Sequence, residues 1–275
     1  MKYDLHSHSY YSDGELSPTE LVGLAVQSEI SCLALTDHDT LDGLDEVQCA
    51  ADQHDGFSVI NGIELSCTWE NQLIHVVGLN IDPTNKELLD GVKANKERRL
   101  SRAEAMLEDF AQHNIDIRAE VAAQIPSRGV PTRPHFAQAL IDKGLAKDKK
   151  QAFKRYLVKG KPGYIPVQWP CMEEVGAWVN AAGGVAILAH PNRYKFTRSK
   201  LMRLITQMLP AGINGIEVST STTDKQQSDM LAELARQYDL LASIGSDFHS
   251  LNQPWARLGG AQPLSSQVQP VWSAF

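Results

Sequence analysis

The chain has 275 residues, 43% of them hydrophobic and 21% charged, with a formal net charge of −7. This describes a soluble globular chain long enough for one large domain or two smaller ones; no apolar run approaches the ~18 residues of a membrane span, and the acidic balance argues against a generally sticky nucleic-acid binder. The four cysteines, Cys32, Cys49, Cys67 and Cys171, show no paired spacing, so we expect buried free thiols and a reducing, cytoplasmic setting rather than disulfides.

The chain opens on a short apolar stretch that runs into His6-Ser7-His8, with Asp13 close behind. It starts directly in strand-like sequence, without the basic and apolar regions of a signal peptide. Side chains at i and i+2 of a strand share a face, so His6 and His8 can grip one cation together. Ser17-Pro18-Thr19-Glu20 is a capping box with proline at the first helical position, and Leu21, Leu24, Ala25 and Ser28 follow on one face. Cys32 to Thr36 reads as a buried strand leading into Asp37-His38-Asp39. Ser58 to Glu64 is another, and Leu73 to Gly78 follows with His75 inside it.

The rhythm then breaks. Residues 84–160 contain no good strand; Leu88, Leu89, Val92, Leu100, Ala103, Leu107 and Phe110 trace a helix of roughly seven turns, and shorter helices are expected over about 133–143 and 148–158. From Lys86 to Lys161 there are 17 Lys and Arg against 10 Asp and Glu. A basic segment in an acidic body hints at an anionic substrate, although a solvated helical surface would give the same count.

Strands resume at Gly184 to Ala189, which runs into His190-Pro191, and at Gly215 to Val218. A helix carrying Met230, Leu231, Leu234, Ala235 and Tyr238 precedes the strand Leu240 to Ile244, which leads into Ser246-Asp247-Phe248-His249. The tail after Gly259-Gly260 lacks a strong pattern. Alternating helices and apolar strands imply an α/β fold built on a parallel sheet, a barrel of residues 1–83 and 162–275 interrupted by a helical, basic insertion at 84–161.

His6, His8, Asp13, His38, Glu64, His75, His190, Asp247 and His249 are the candidate metal ligands. All but His75 fall at or just beyond the C-terminal end of an expected strand, the face on which α/β barrels build their sites. A lone histidine there is usually structural, and Asp13 or Asp247 alone could be a turn or cap residue. Glu64 is harder to dismiss, because a buried carboxylate needs a partner. Nine ligands exceed one ion and suit two or three, and mixed imidazole and carboxylate donors favour manganese, zinc or iron over magnesium or calcium.

These stretches resemble the PHP (polymerase and histidinol phosphatase) family of metal-dependent phosphoesterases. The likeness lies in Asp4-Leu5-His6-Ser7-His8 with Asp13, Thr36-Asp37-His38-Asp39, Gly62-Ile63-Glu64, His75, Ala189-His190-Pro191 and Gly245-Ser246-Asp247-Phe248-His249. It implies a distorted (β/α)7 barrel and a trinuclear centre, in which His6, His8, Glu64 and Asp247 hold one ion, Glu64, His75 and His190 a second, and Asp13, His38 and His249 a third. Manganese is the favoured metal.

Pro131-Thr132-Arg133-Pro134-His135-Phe136-Ala137 and Lys159-Gly160-Lys161-Pro162-Gly163-Tyr164-Ile165-Pro166 further resemble a branch with an inserted helical domain, which includes a 3',5'-nucleotide bisphosphate phosphatase and the 5'-to-3' exoribonuclease ribonuclease AM. That likeness implies phosphate binding by Arg133, which can fork onto two oxygens, and by His135. Thr132 and Pro134 also read as a helix start, and both readings can hold.

The expected activity is hydrolysis of phosphate esters of nucleotides or RNA ends, by metal-hydroxide attack on phosphorus. Arg133 would help neutralise the phosphoryl charge, and His190 or His249 could supply the leaving-group proton. The expected partner is a nucleotide or 5'-phosphorylated RNA, with no membrane and no obligate protein partner. Two other readings stand beside it: an amidohydrolase-like barrel acting on C–N or C–O bonds, and a metal-stabilised binding module without catalysis. Tyr164, Trp169 and Phe136 are candidates for base stacking, with core packing the plainer role.

Overall fold

A computed structural model describes residues 1–275. In chain order the elements are β1 (Tyr3–Asp4), α1 (Pro18–Gln27), β2 (Cys32–Leu35), α2 (Leu44–Ala51), β3 (Ser58–Trp69), β4 (Gln72–Leu79), α3 (Lys86–Gln112), α4 (Arg118–Ala122), α5 (Arg133–Asp142), α6 (Lys149–Ala152), α7 (Met172–Ala181), β5 (Val185–Leu188), α8 (Arg198–Met208), β6 (Ile213–Thr220), α9 (Lys225–Gln237) and β7 (Leu241–Gly245). The seven strands pair in sequence order. The two edges then meet: Leu5 N donates to Ile244 O, Asp247 N to His6 O and His8 N to Phe248 O, at 2.8–3.0 Å. The sheet therefore curls round into a barrel, as an α/β reading of the sequence requires.

The sheet is not wholly parallel. β3 and β4 form a hairpin, and β4 also runs antiparallel to β5. The cause is local. Glu70 and Asn71 both take left-handed φ values, 45° and 59°, between Trp69 and Gln72, which is the two-residue turn whose twist matches a hairpin. β3 consequently extends past Glu64, so that this carboxylate lies mid-strand rather than at a strand end. β1 stops at Asp4, leaving His6 and His8 in the following segment, where Ser7 bridges to Phe248 just beyond β7.

Leu5, Ala34, Val77, Leu79, Ile187 and Ala189 fill the barrel below the ligand end. Trp272, from the patternless tail, stacks on Tyr3 at 4.1 Å and helps close the bottom. A larger apolar cluster joins the sheet to the helices around it. From α3 to Leu157 a separate cluster of 12 buried residues, including Met106, Phe110, Phe136 and Leu157, packs the strandless segment against itself. The helix expected over 148–158 changes character after Ala152, where Phe153–Leu157 continue as a π-turn. Helices α2, α4, α7 and α8 are not singled out in the sequence reading. Of the cysteines only Cys32 and Cys67 are buried; Cys49, on the outer side of α2, and Cys171, at the start of α7, are exposed, and all four are free.

Barrel closure dictates one residue by close approach. A Cβ on Gly245 would stand 2.3 Å from Cβ of His6 and 2.6 Å from its backbone nitrogen. Gly245→Ala should lower unfolding free energy by about 2–3 kcal/mol in urea titrations. Gly23→Ala, on the open side of α1 with nothing within 4 Å, should instead be neutral or stabilising by up to about 1 kcal/mol.

Candidate metal centre

The structure brings all nine sequence-derived candidates to one end of the barrel. Glu64 stands at the middle. Its Oε2 lies 3.4 Å from His6 Nε2, 3.3 Å from His8 Nε2 and 2.8 Å from His38 Nδ1. Its Oε1 lies 2.9 Å from His75 Nδ1 and 2.8 Å from His190 Nε2. One buried carboxylate thus meets five imidazoles. Asp247 Oδ1 approaches His6 and His8 at 3.5 and 3.2 Å, and Asp13 faces His249 at 3.3 Å and His38 at 3.8 Å.

Four overlapping sets could each hold a cation: His8, Asp13, His38 and His249; His6, Glu64 and His190; His6, His8 and Asp247; His38, Glu64 and His75. The donor geometry itself calls for positive charge. His6 Nε2 and His8 Nε2 point at each other across 3.1 Å, while Asp13 Oδ1 and Glu64 Oε2 are buried without a hydrogen-bond donor. Acceptors crowded on a common point repel unless a cation or proton lies among them. Imidazole and carboxylate donors in these numbers fit two or three divalent ions.

Backbone geometry helps aim the donors. His190 and Asp247 follow the ends of β5 and β7 with left-handed φ of 30° and 54°, a conformation non-glycine residues adopt mainly where surroundings enforce it. Behind the donors lies a ring of buried carboxylates that are themselves in no ligand set. Asp37 accepts from Ser9 N and from the Ser9 and Ser12 hydroxyls, and Ser12 Oγ is 3.3 Å from His8 Nδ1. Asp4 accepts from Ser246 N and Gly259 N at 2.7 and 2.6 Å. Asp39 receives Arg99 Nε at 2.7 Å, Asn95 Nδ2 at 2.8 Å and Ser66 N at 2.8 Å. Glu217 reaches His6 Nδ1 at 2.8 Å.

The electrostatics follow from this packing. Burial opposes a charge on His6, yet Glu217, Glu64 and Asp247 outweigh it and hold the imidazole well above its ordinary range. Burial likewise opposes a charge on His8, but the neighbouring carboxylates of Asp247 and Glu64 raise it to about 10. His38 goes the other way, pushed down by burial to about 4. For Glu64 burial is overcome by His38, His75 and His6, which keep it ionised.

Arg133 and His135 open α5 beside this cluster, near enough for both to feel the charge of Asp13. Thr132 N donates to His135 Nδ1 at 3.1 Å, so the capping role is real. It also leaves the proton of neutral His135 on Nε2, free to donate. Burial lowers the His135 pKa and favours that neutral form. Arg133 makes no hydrogen bond within the protein; its guanidinium lies 5.9 Å over the Phe153 ring of the π-turn. Arg102, which the sequence reading did not single out, shares a 520 Å³ pocket with Arg133, Tyr164, Trp169, Thr68 and Leu73. It bonds only the Ile165 carbonyl, at 3.1 Å. Burial, then Arg133 and Arg99, press it down to about 10. Phe136 is core, Trp169 is buried under the Arg99 guanidinium at 5.2 Å, and Tyr164 lines the pocket.

Glu217 and Arg193 also touch candidate ligands and lie outside the sequence-derived set. Arg193 pairs with Asp247 Oδ2. A carboxylate inside the apolar run Gly215-Ile216-Glu217-Val218 is the same signal that marks Glu64; Arg193 in a connecting turn has no such signal.

Residues 4–159 match the family profile of the PHP domain. The chain belongs to the PHP domain family. Over its whole length this PHP protein is 41% identical to a 5'-3' exoribonuclease of Haemophilus influenzae, of which the match covers 99%. It is 38% identical over 98% of its length to a 3',5'-nucleoside bisphosphate phosphatase of Chromobacterium violaceum, covering 94% of that protein. A solved Chromobacterium violaceum structure, described as an amidohydrolase with bound sulfate and no metal, superposes with a TM-score of 0.92 at 38% identity, covering 99% of this chain and 95% of that one. These likenesses make the protein an enzyme, a metal-dependent phosphoesterase.

Cation binding requires neutral imidazoles. His8, with its pKa raised to about 10, carries a proton at pH 7 that an entering cation must displace. Manganese titrations in buffers of different ionisation enthalpy should therefore show net proton release at pH 7, and affinity should be lower at pH 6 than at pH 8.

Proposed function

We propose that this PHP protein hydrolyses phosphate monoesters and diesters at nucleotide or RNA ends, as a 3',5'-nucleotide bisphosphate phosphatase, a 5'-to-3' exoribonuclease or both. The observation that carries the reading is the pairing of a buried imidazole and carboxylate cluster with two half-buried arginines, Arg102 and Arg133, that have no carboxylate partner. The first suits divalent cations and the second suits a further phosphate.

In this reading His6, His8, Asp13, His38, Glu64, His75, His190, Asp247 and His249 hold two or three divalent ions, manganese foremost. Such ions lower the pKa of water towards neutrality and offset charge on phosphoryl oxygens. The protein's own groups do the positioning. Arg133 offers a planar fork to a phosphate, Nε2–H of His135 adds a donor, and Arg102 extends the positive wall along the pocket. The basic helical segment 84–161 acts as an insertion domain that carries this wall to the barrel. His249 commits Nδ1 to the Asp247 carbonyl at 2.9 Å and turns Nε2 to Asp13. His190 Nδ1 is buried without a hydrogen-bond partner, and His190 and His249 are the two candidate sources of the leaving-group proton. No helix is long and apolar enough to cross a membrane, and a cytoplasmic location suits a nucleotide or RNA substrate.

An amidohydrolase-like reaction that depends on a carbamylated strand lysine has no support here, because none of the seven strands contains a lysine. A purely structural metal module would leave Arg102 and Arg133 facing each other without purpose.

Product analysis with 5'-phosphorylated RNA and adenosine 3',5'-bisphosphate side by side, with manganese, magnesium or zinc, tests the proposal; release of neither phosphate nor nucleotides under any metal would refute it. Arg133→Ala and Arg102→Ala should each raise KM for the 5'-phosphorylated substrates by about 10- to 100-fold, the worth of a charged hydrogen bond, while leaving a simple aryl phosphate nearly unaffected. Asp247→Asn should abolish turnover and lower bound metal measured by elemental analysis.

A further inference from the structure

Glu217 projects from β6 between Ile216 and Val218, which pack outward into the main core. It is fully buried, with 1% exposure. Of the carboxylates outside the candidate ligand sets, it is the one that touches a candidate ligand's side chain. Its two oxygens serve two different parts of the cluster. Oε1 lies 2.8 Å from Nδ1 of His6, and Oε2 accepts the backbone N–H of His190 at 2.5 Å.

Each contact has a chemical consequence. A carboxylate only accepts, so in the neutral imidazole that a cation requires it keeps the proton on His6 Nδ1 and leaves the Nε2 lone pair aimed at His8, Glu64 and Asp247. At His190 it holds the N–H of a residue whose φ of 30° and ψ of 57° lie in the left-handed region. That turn sends Nε2 of His190 to within 2.8 Å of Glu64 Oε1. The two ligands lie 184 residues apart in sequence and share one candidate set with Glu64.

We propose that Glu217 is a positioning residue for the metal centre, fixing the tautomer of His6 and the backbone of His190 with one carboxylate. The proposal rests on the metal-dependent reading above. It distinguishes Glu217 from a generic buried acid, because both oxygens are needed as acceptors. Glutamine has one acceptor and one donor: whichever way the amide turns, its NH2 faces either the His6 Nδ1–H or the His190 N–H. Aspartate keeps both acceptors but is one methylene too short to reach both partners.

The test is manganese binding to metal-stripped wild type, Glu217→Gln and Glu217→Asp by calorimetry, with the melting temperature of each stripped protein measured alongside. Manganese-dependent turnover is followed on the same samples. Glu217→Gln should bind manganese about 10- to 100-fold more weakly, the usual effect of losing a carboxylate behind a ligating histidine. Its kcat should recover most of the wild-type value at saturating manganese. Glu217→Asp should weaken binding in the same direction, and it carries the test if the glutamine variant does not fold. Zinc-loaded protein with 15N-labelled histidine should show a strongly hydrogen-bonded Nδ1–H on His6 that is lost or shifted in Glu217→Gln. Manganese affinity within twofold of wild type in both variants, with or without a lower melting temperature, would overturn the proposal and reduce Glu217 to a packing role. Failure of the wild type itself to bind manganese or zinc would instead overturn the metal-dependent reading, and the proposal with it.

Discussion

The contact between Glu64 and five imidazoles is the constraint from which the rest of the molecule follows. A carboxylate with no exposure costs several kcal/mol to bury unless positive charge meets it, and here no lysine or arginine does so. Imidazoles can answer that demand through protons or through shared cations. The barrel supplies them from β1, β2, β4 and β5, and Asp13, Asp247 and His249 extend the arrangement sideways. The surrounding buried acids then make sense as braces: Asp4 holds the turn before Asp247, Asp37 grips the loop after His8, and Glu217 reaches His6 and His190. Gly245 belongs to the same logic, since its missing side chain lets β7 press against His6 and close the ring.

A second set of contacts ties the helical segment to this centre. Asp39 follows the candidate ligand His38, yet its carboxylate is satisfied largely from α3, by Arg99 and Asn95, with Ser66 of β3 completing the set. Trp169 lies under Arg99, and its N–H bonds the Thr68 hydroxyl of β3 at 3.1 Å. Helix α3 and the loop carrying Tyr164 to Trp169 are thus keyed into the barrel beside the ligands. The basic wall formed by Arg102 and Arg133 is held by the same joint, which explains how surplus positive charge survives at a half-buried position in an acidic protein.

Most of the centre was legible in the sequence, because its chemistry is carried by residue types that apolar strands otherwise avoid. His6, His8, His38, His190 and Asp247 stand where short hydrophobic runs stop, and Glu64 interrupts one. What lay beyond sequence was mostly a matter of three-dimensional reversal. The left-handed pair Glu70 and Asn71 turns β4 back along β3, and neither residue is the Asn-Gly or Asp-Gly signature that would announce it. Arg102 sits on a helical face among many basic residues, so nothing local separates it from its solvated neighbours. Glu217 carried a readable signal, an acid in an apolar strand, but with its partners distant in sequence its role could not be assigned. The exposure of Cys49 and Cys171 depends on which side of a helix or turn meets solvent.

The same reversal has a mechanical consequence. Glu64 and Thr68 lie on one face of β3, as do their cross-strand neighbours Val77 and Leu73 with His75 between them. The donors and the floor of the arginine pocket are therefore successive stations on one rigid two-stranded ribbon, spaced by a strand rise of about 3.3 Å per residue. Separation between the two is a ruler cut into the sheet rather than a gap bridged by a swinging lid. Molecules would be sorted by whether the distance between their phosphates matches its graduations.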